Sequence, residues 1–148
     1  MATTVTIPGA TGLVSNSYAL TDNTNVALQI QAALVALQAS GHLTSSVSGA
    51  IGPTVPAGNF GALDITAGGT YAAPAGFLLA ADSTNGGVAS APGANLTLTG
   101  FADLFGGDGN INFTNVATPT LAGATGPESI TAGNGNDMFA LVSGSTYS

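Results

Sequence analysis

The sequence predicts a mainly-β fold, a β-solenoid or β-roll-like form or else a β-sandwich, with one N-terminal amphipathic helix at about residues 24–40. Three observations predict it. Short apolar or alternating runs recur along the chain, separated by Gly-Gly, Asn-Gly and Pro-Gly corners. Only one segment carries helical periodicity. Glycine fills 22 of 148 positions, about twice the ordinary share, and with Asn it suits the tight corners between short strands.

The elements follow in order within a single domain, 1–148. Residues 1–43 hold strand and capping helix. Thr and Val or Ile alternate over 3–7, Pro8-Gly9 closes that run, and residues 1–20 read as one or two short strands. Thr21, Asp22 and Thr24 are N-cap candidates, and Asp22 suits the positive end of the helix dipole. Val26, Ile30, Ala33, Leu34 and Leu37 recur at spacings of three and four, which makes one apolar stripe. Gly41 is the natural residue to end it. Residues 44–76 form a Gly/Pro/Ser-rich stretch broken by Pro53, Pro56 and Pro74, with short strands expected at 62–66 and 70–72. Residues 77–148 form a Gly/Asn-rich β region, with strands expected at 77–81, 95–99, 102–105, 110–116, 129–132 and 138–142.

Composition narrows the function more than any single residue. There is no Lys or Arg, and the seven acids leave a net charge of −7. Phosphate neutralisation depends on Lys and Arg, so nucleic acid and anionic membrane surfaces are poor partners. The longest strongly apolar stretch, 26–37, is shorter than the roughly 20 residues a span needs, so no membrane insertion is expected. Cysteine is absent, which removes thiol chemistry and disulfides. The first residues show no basic and apolar regions of a secretory signal peptide.

No enzyme is expected. His42 is the only histidine and follows directly on a helix end, where its interaction with the helix C-terminus is the simpler role. One His and no Cys make no zinc site. Asp103 and Asp108 are close in sequence, but there is no Trp to form a sugar platform and no Arg to clamp an anionic substrate. Neither catalytic nor organic-cofactor residues are assigned.

One segment carries a chemistry. Ala132-Gly-Asn-Gly-Asn-Asp-Met-Phe-Ala140 matches the nonapeptide G-G-x-G-x-D-x-U-x, with Ala132 replacing the first Gly. Gly106-Gly-Asp-Gly-Asn-Ile-Asn-Phe-Thr114 is a weaker copy, with Ile111 where Asp is expected. Calcium takes six to eight oxygens, and Gly lets successive carbonyls turn towards one ion. The C-terminal third thus resembles the repeats-in-toxin family of calcium-binding β-rolls. The resemblance implies calcium near Asn134, Asn136 and Asp137, and Asp108 offers a further carboxylate at a non-family position. Two departures count against it. Family repeats are contiguous, whereas these copies start 26 positions apart (132 − 106), and the weaker one lacks its Asp. The alternative is a tight corner in which Asn and Asp side chains bond the backbone. The segment from 77 to 100 is similar to N-terminal parts of large Gly-rich secreted bacterial proteins, which implies type I secretion and an extracellular or cell-surface location.

The function expected from these features is structural. A secreted protein with an uncharged Thr/Ser/Asn surface would self-assemble into a filament, surface layer or biofilm matrix through strand stacking, assisted by calcium. It lacks the Lys residues that commonly guard strand edges, and 95–99 and 110–116 are the expected pairing strands. The rival reading is a calcium-binding folding module of a larger adhesin, and a third is a carbohydrate-binding β-domain. The expected partner is a second copy of the chain, with cell-surface polysaccharide as another.

Overall fold

The computed structural model describes residues 1–19, 24–52, 54–88, 91–116 and 129–141. Strands β1 (Ala2–Pro8) and β2 (Leu13–Ala19) make an antiparallel hairpin. Residues that alternate along both strands bury one face, through Val5, Ile7, Val14, Asn16 and Tyr18.

Helix α1 (Thr24–Ala39) buries Ala27, Ile30, Leu34 and Leu37, close to the stripe read from the sequence. Val26 and Ala33 pack half-buried at its margins. Thr24 Oγ donates to the Ala19 carbonyl at 3.1 Å, while the cap candidates Thr21 and Asp22 lie outside the described residues. At the other end Gly41 takes φ +74°. Its N–H bonds to the Gln38 carbonyl, and that of His42 to the Leu37 carbonyl. This pair is a Schellman closure, which needs a left-handed residue at that place.

Nine strands follow: β3 (Leu43–Val47), β4 (Phe60–Ile65), β5 (Gly69–Ala72), β6 (Phe77–Asp82), β7 (Leu96–Thr99), β8 (Asp103–Phe105), β9 (Ile111–Thr114), β10 (Ile130–Thr131) and β11 (Met138–Ala140). From β4 onward successive strands alternate between two sheets. One has the order β10-β8-β6-β4-β3 and the other β11-β9-β7-β5. Every pairing in both is parallel.

The five-stranded sheet is the middle layer. One face, with Phe60, Ala62, Leu79, Ala81 and Phe105, packs on the hairpin and on Ile30, Leu34 and Leu37 of α1. The other, with Leu63, Ile65, Phe77, Ala80 and Leu104, packs on Leu96, Leu98, Ile111 and Phe113 of the four-stranded sheet. Burial on both faces explains why β4 and β6 read as nearly unbroken apolar runs. Each large aliphatic or aromatic side chain sealed here contributes about 1.5–3 kcal/mol.

Two expectations are corrected. The fold is α/β, with parallel sheets of five and four strands, an antiparallel hairpin and one helix, not a mainly-β solenoid, β-roll or sandwich with a capping helix. A sandwich is built from antiparallel pairs, and these large sheets are parallel. The helix does not cap: with the antiparallel hairpin it forms a full layer that carries one of the two hydrophobic clusters. The second correction concerns the pairing strands. The segments 95–99 and 110–116 hold β7 and β9, which lie inside the four-stranded sheet with a neighbour on each side. Its edges are β5 and β11. Strand β3 is polar and was not expected, because only its pairing with β4 reveals it.

Candidate functional site

The two Gly-rich turns flagged in the sequence sit one above the other. Strand β10 pairs with β8 through Ile130 and Leu104, and β11 pairs with β9 through Met138 and Asn112. Both registers are offset by 26 positions (130 − 104 and 138 − 112), so copies distant in sequence are adjacent in space. The turn 106–110 leads from β8 to β9, and 132–137 leads from β10 to β11.

Side-chain oxygens of each turn accept backbone N–H groups of its neighbour in the stack, in both directions. Asp108 Oδ1 accepts from Asn134 N at 2.6 Å, and Asp137 Oδ1 accepts from Ile111 N at 2.9 Å. Asn110 Oδ1 accepts from Asn136 N at 2.9 Å, and Asn95 Oδ1 in turn accepts from Asn110 N at 3.4 Å. Asn95, Asn110 and Asn136 thus form a ladder at the entry to β7, β9 and β11. Asn95 and Asn110 were not singled out from the sequence. The signal was there: each Asn precedes a large core-column residue by three positions, namely Leu98, Phe113 and Phe139.

The glycines at 133 and 135 are required by this closeness. A Cβ at Gly133 would collide with Asp108 Oδ1, and one at Gly135 with the Gly109 carbonyl.

A second set of acceptors backs the turns. Asp82, at the end of β6, takes N–H and O–H of Thr84 on Oδ1 at 2.9 and 2.6 Å, and Gly107 N–H on Oδ2 at 3.3 Å. Tyr18 of the hairpin donates to the Gly106 carbonyl and lies 3.3 Å from Thr131 Oγ. Burial raises the Tyr18 hydroxyl above its ordinary pKa. Asp64 on β4 accepts from Ala10 N at 2.5 Å, and Asp103 from Ser129 N at 2.7 Å. Asp64, Asp82 and Asp103 are all buried. A chain without Lys or Arg satisfies its buried carboxylates through backbone N–H groups instead.

These surroundings shift Asp64, Asp82 and Asp137 upward. Burial pushes Asp64 to about 6, with the turn N–H groups opposing. Asp64 Oδ1 has no hydrogen-bond partner among the described residues. Burial also raises Asp82 and Asp137, and the Asp108 charge adds to both.

Of the four residues read as calcium ligands, the structure brings all into one stacked corner. Carboxylates and amide carbonyls are hard oxygen donors of the kind calcium takes. One oxygen each of Asp108 and Asp137 is already engaged by a backbone N–H. Among the described residues no group of three or more His, Cys, Asp or Glu is placed to hold a metal. The donor chemistry therefore fits calcium only in part.

His42 lies at the exposed helix end, its Nδ1 2.9 Å from Ser40 Oγ. A cavity of about 220 Å³ lies between the hairpin turn and the loops after β4 and β6, lined by Thr11, Val14, Thr66, Ser83 and Asn85 among others. It is smaller than the roughly 300–1,000 Å³ of ordinary ligand sites, and none of its lining residues is titratable. No helix among the described residues is long and apolar enough to cross a membrane.

No family model, curated protein or solved structure matches this chain.

Proposed function

We propose that this is a secreted structural protein that works by self-association, adding strand to strand to build an extracellular filament, surface layer or matrix. The observation that carries this reading is strand β11, which among the described residues stands at the edge of its sheet and pairs only with β9. All three of its residues are exposed, and Met138, Phe139 and Leu141 show 61%, 38% and 48% of their surface. Unpaired strand edges recruit other strands unless charge, proline or cover prevents it, and the chain has no Lys to place there. Extracellular location and type I secretion belong to the proposal through the resemblance of residues 77–100 to large Gly-rich secreted bacterial proteins. Its test is particle mass by light scattering, in excess chelator and then in millimolar calcium. Assemblies in chelator support the reading, and a monomer in both conditions sinks it.

A second reading has its own observation. In the family these turns resemble, the ion lies between successive repeats, and here the two repeats are stacked in space. On this reading the chain is a calcium-binding folding module, with Asp108, Asn134, Asn136 and Asp137 at the ion. A calcium-dependent change in circular dichroism, lost in Asp137→Ala, would favour it over the first.

A further inference from the structure

We propose that copies join open end to open end: β11 of one pairs antiparallel with β11 of a second about a two-fold axis. This inference rests on the self-association reading and specifies one of its joints; a two-fold joint closes on itself, so a filament or layer needs a second contact between such pairs. The two ends of the paired sheets differ. At the β3 end the apolar interior is covered by Val55, whose side chain packs into the inter-sheet cluster. At the β11 end Phe139 occupies the same interior column and is 38% exposed.

Head-to-tail growth meets an obstacle in the strand count. The five-stranded sheet has β3 beyond β4, and among the described residues the four-stranded sheet has nothing beyond β5. Strands β4 and β5 form one level, and β10 and β11 another. Suppose a translated copy laid its β5 along β11. Its β4 would then lie one strand spacing, about 4.8 Å, beyond β10. Its β3 would fall where β10 already is. A two-fold arrangement has no such conflict, because neither copy brings β3 to the joint.

The residues of β11 are self-complementary. Tyr71, Leu98, Phe113 and Phe139 stand in register across the four-stranded sheet. Phe139 packs edge-to-face on Phe113 with centroids 6.5 Å apart. Antiparallel pairing centred on Phe139 sets it opposite its own counterpart and Met138 opposite Ala140. Residues so opposed have Cβ atoms about 4.5–5.5 Å apart, and an interface of this kind must match itself. Asp137 then faces Leu141 of the second copy, so the two carboxylates stay apart.

The test compares wild type with Met138→Lys and Ala140→Lys on β11 and Thr70→Lys on β5, all at exposed positions. Sedimentation and light scattering are read over a wide concentration range in chelator, with unfolding midpoints to confirm folding. The expected result is a wild-type dimer, at least tenfold weaker in both β11 variants and unchanged in Thr70→Lys. Particles that grow with concentration and are halted by Thr70→Lys would overturn the closed joint and leave self-association standing. A dimer indifferent to both β11 variants would also overturn it. A wild-type monomer throughout would overturn both.

Discussion

Asp137 Oδ1 accepts the backbone N–H of Ile111 at 2.9 Å, across 26 positions of sequence. Asp137 thereby enters the inward column that Leu96 and Ile111 fill with buried apolar side chains. A carboxylate is accepted there because it caps a backbone donor that the turn would otherwise leave open. Asp137→Ala removes the acceptor and should cost about 1–2 kcal/mol. Asp137→Asn keeps an acceptor, relieves the repulsion from Asp108, and should stay within about 0.5 kcal/mol of wild type. Urea unfolding in chelator checks both. Equal losses in the two variants would show that charge, not the hydrogen bond, holds the turn.

Gly133 and Gly49 make a matched pair for the packing of the stacked turns. Gly133 faces Asp108 and the Gly107 backbone, whereas a Cβ at Gly49 meets nothing within 4 Å. Gly133→Ala forces the turns apart and should destabilise by about 1–3 kcal/mol. Gly49 does not have positive φ, so Gly49→Ala should be neutral or stabilise by up to about 1 kcal/mol through the unfolded chain. Thermal unfolding of the two variants is the measurement. A harmless Gly133→Ala would mean that the turns do not stack this closely.

Local pattern made part of this arrangement legible. The helix was readable because its stripe and its Gly41 stop are both set within a few residues. Strands from β4 onward were readable because each is a short apolar run between corners. What joins them was not. Parallel pairing gives no hairpin signal, so the register of β4 on β6 or the third layer made by the hairpin leaves no trace in neighbouring residues. Polar β3 is not legible because the strand it pairs with, β4, begins at Phe60. The candidate corner is legible in its residue types. Its stacking is not, because copies 26 positions apart along the chain meet only through parallel pairing, although the recurrence of Asn95, Asn110 and Asn136 before column residues marks it.

Tyr18 ties the hairpin to the stacked turns. Its hydroxyl donates to the Gly106 carbonyl, and its ring packs edge-to-face on Phe105 at 6.0 Å. Tyr18→Phe keeps the ring contact and leaves a buried carbonyl short of a donor. The expected loss is about 1–2 kcal/mol, with one cooperative transition if hairpin and sheets unfold together. Denaturant unfolding followed by tyrosine fluorescence and circular dichroism reads both points. A separate early transition would show that the hairpin is an independent unit.

Acid should stabilise this protein, contrary to the usual behaviour of carboxylates in salt bridges. Asp64 is buried against the hairpin turn, and burial lifts its folded pKa to about 6, above the ordinary value near 3.9. Asp82 and Asp137 move in the same direction. A raised folded pKa means that the folded state binds the proton more tightly, so stability grows as pH falls through 6 and is lost as pH rises through it. Below the unfolded value both states are protonated and the gain levels off. Lowering a net charge of −7 also eases self-repulsion, so a control is needed to separate the two effects. Asp64→Asn changes net charge by one unit and abolishes the titration at this site. The unfolding midpoint of the wild type should therefore climb between pH 7 and pH 4.5, and that of Asp64→Asn should climb measurably less. A flat wild-type profile would mean that Asp64 is solvated in the folded chain. A falling one would mean that its hydrogen bonds to the turn outweigh its burial.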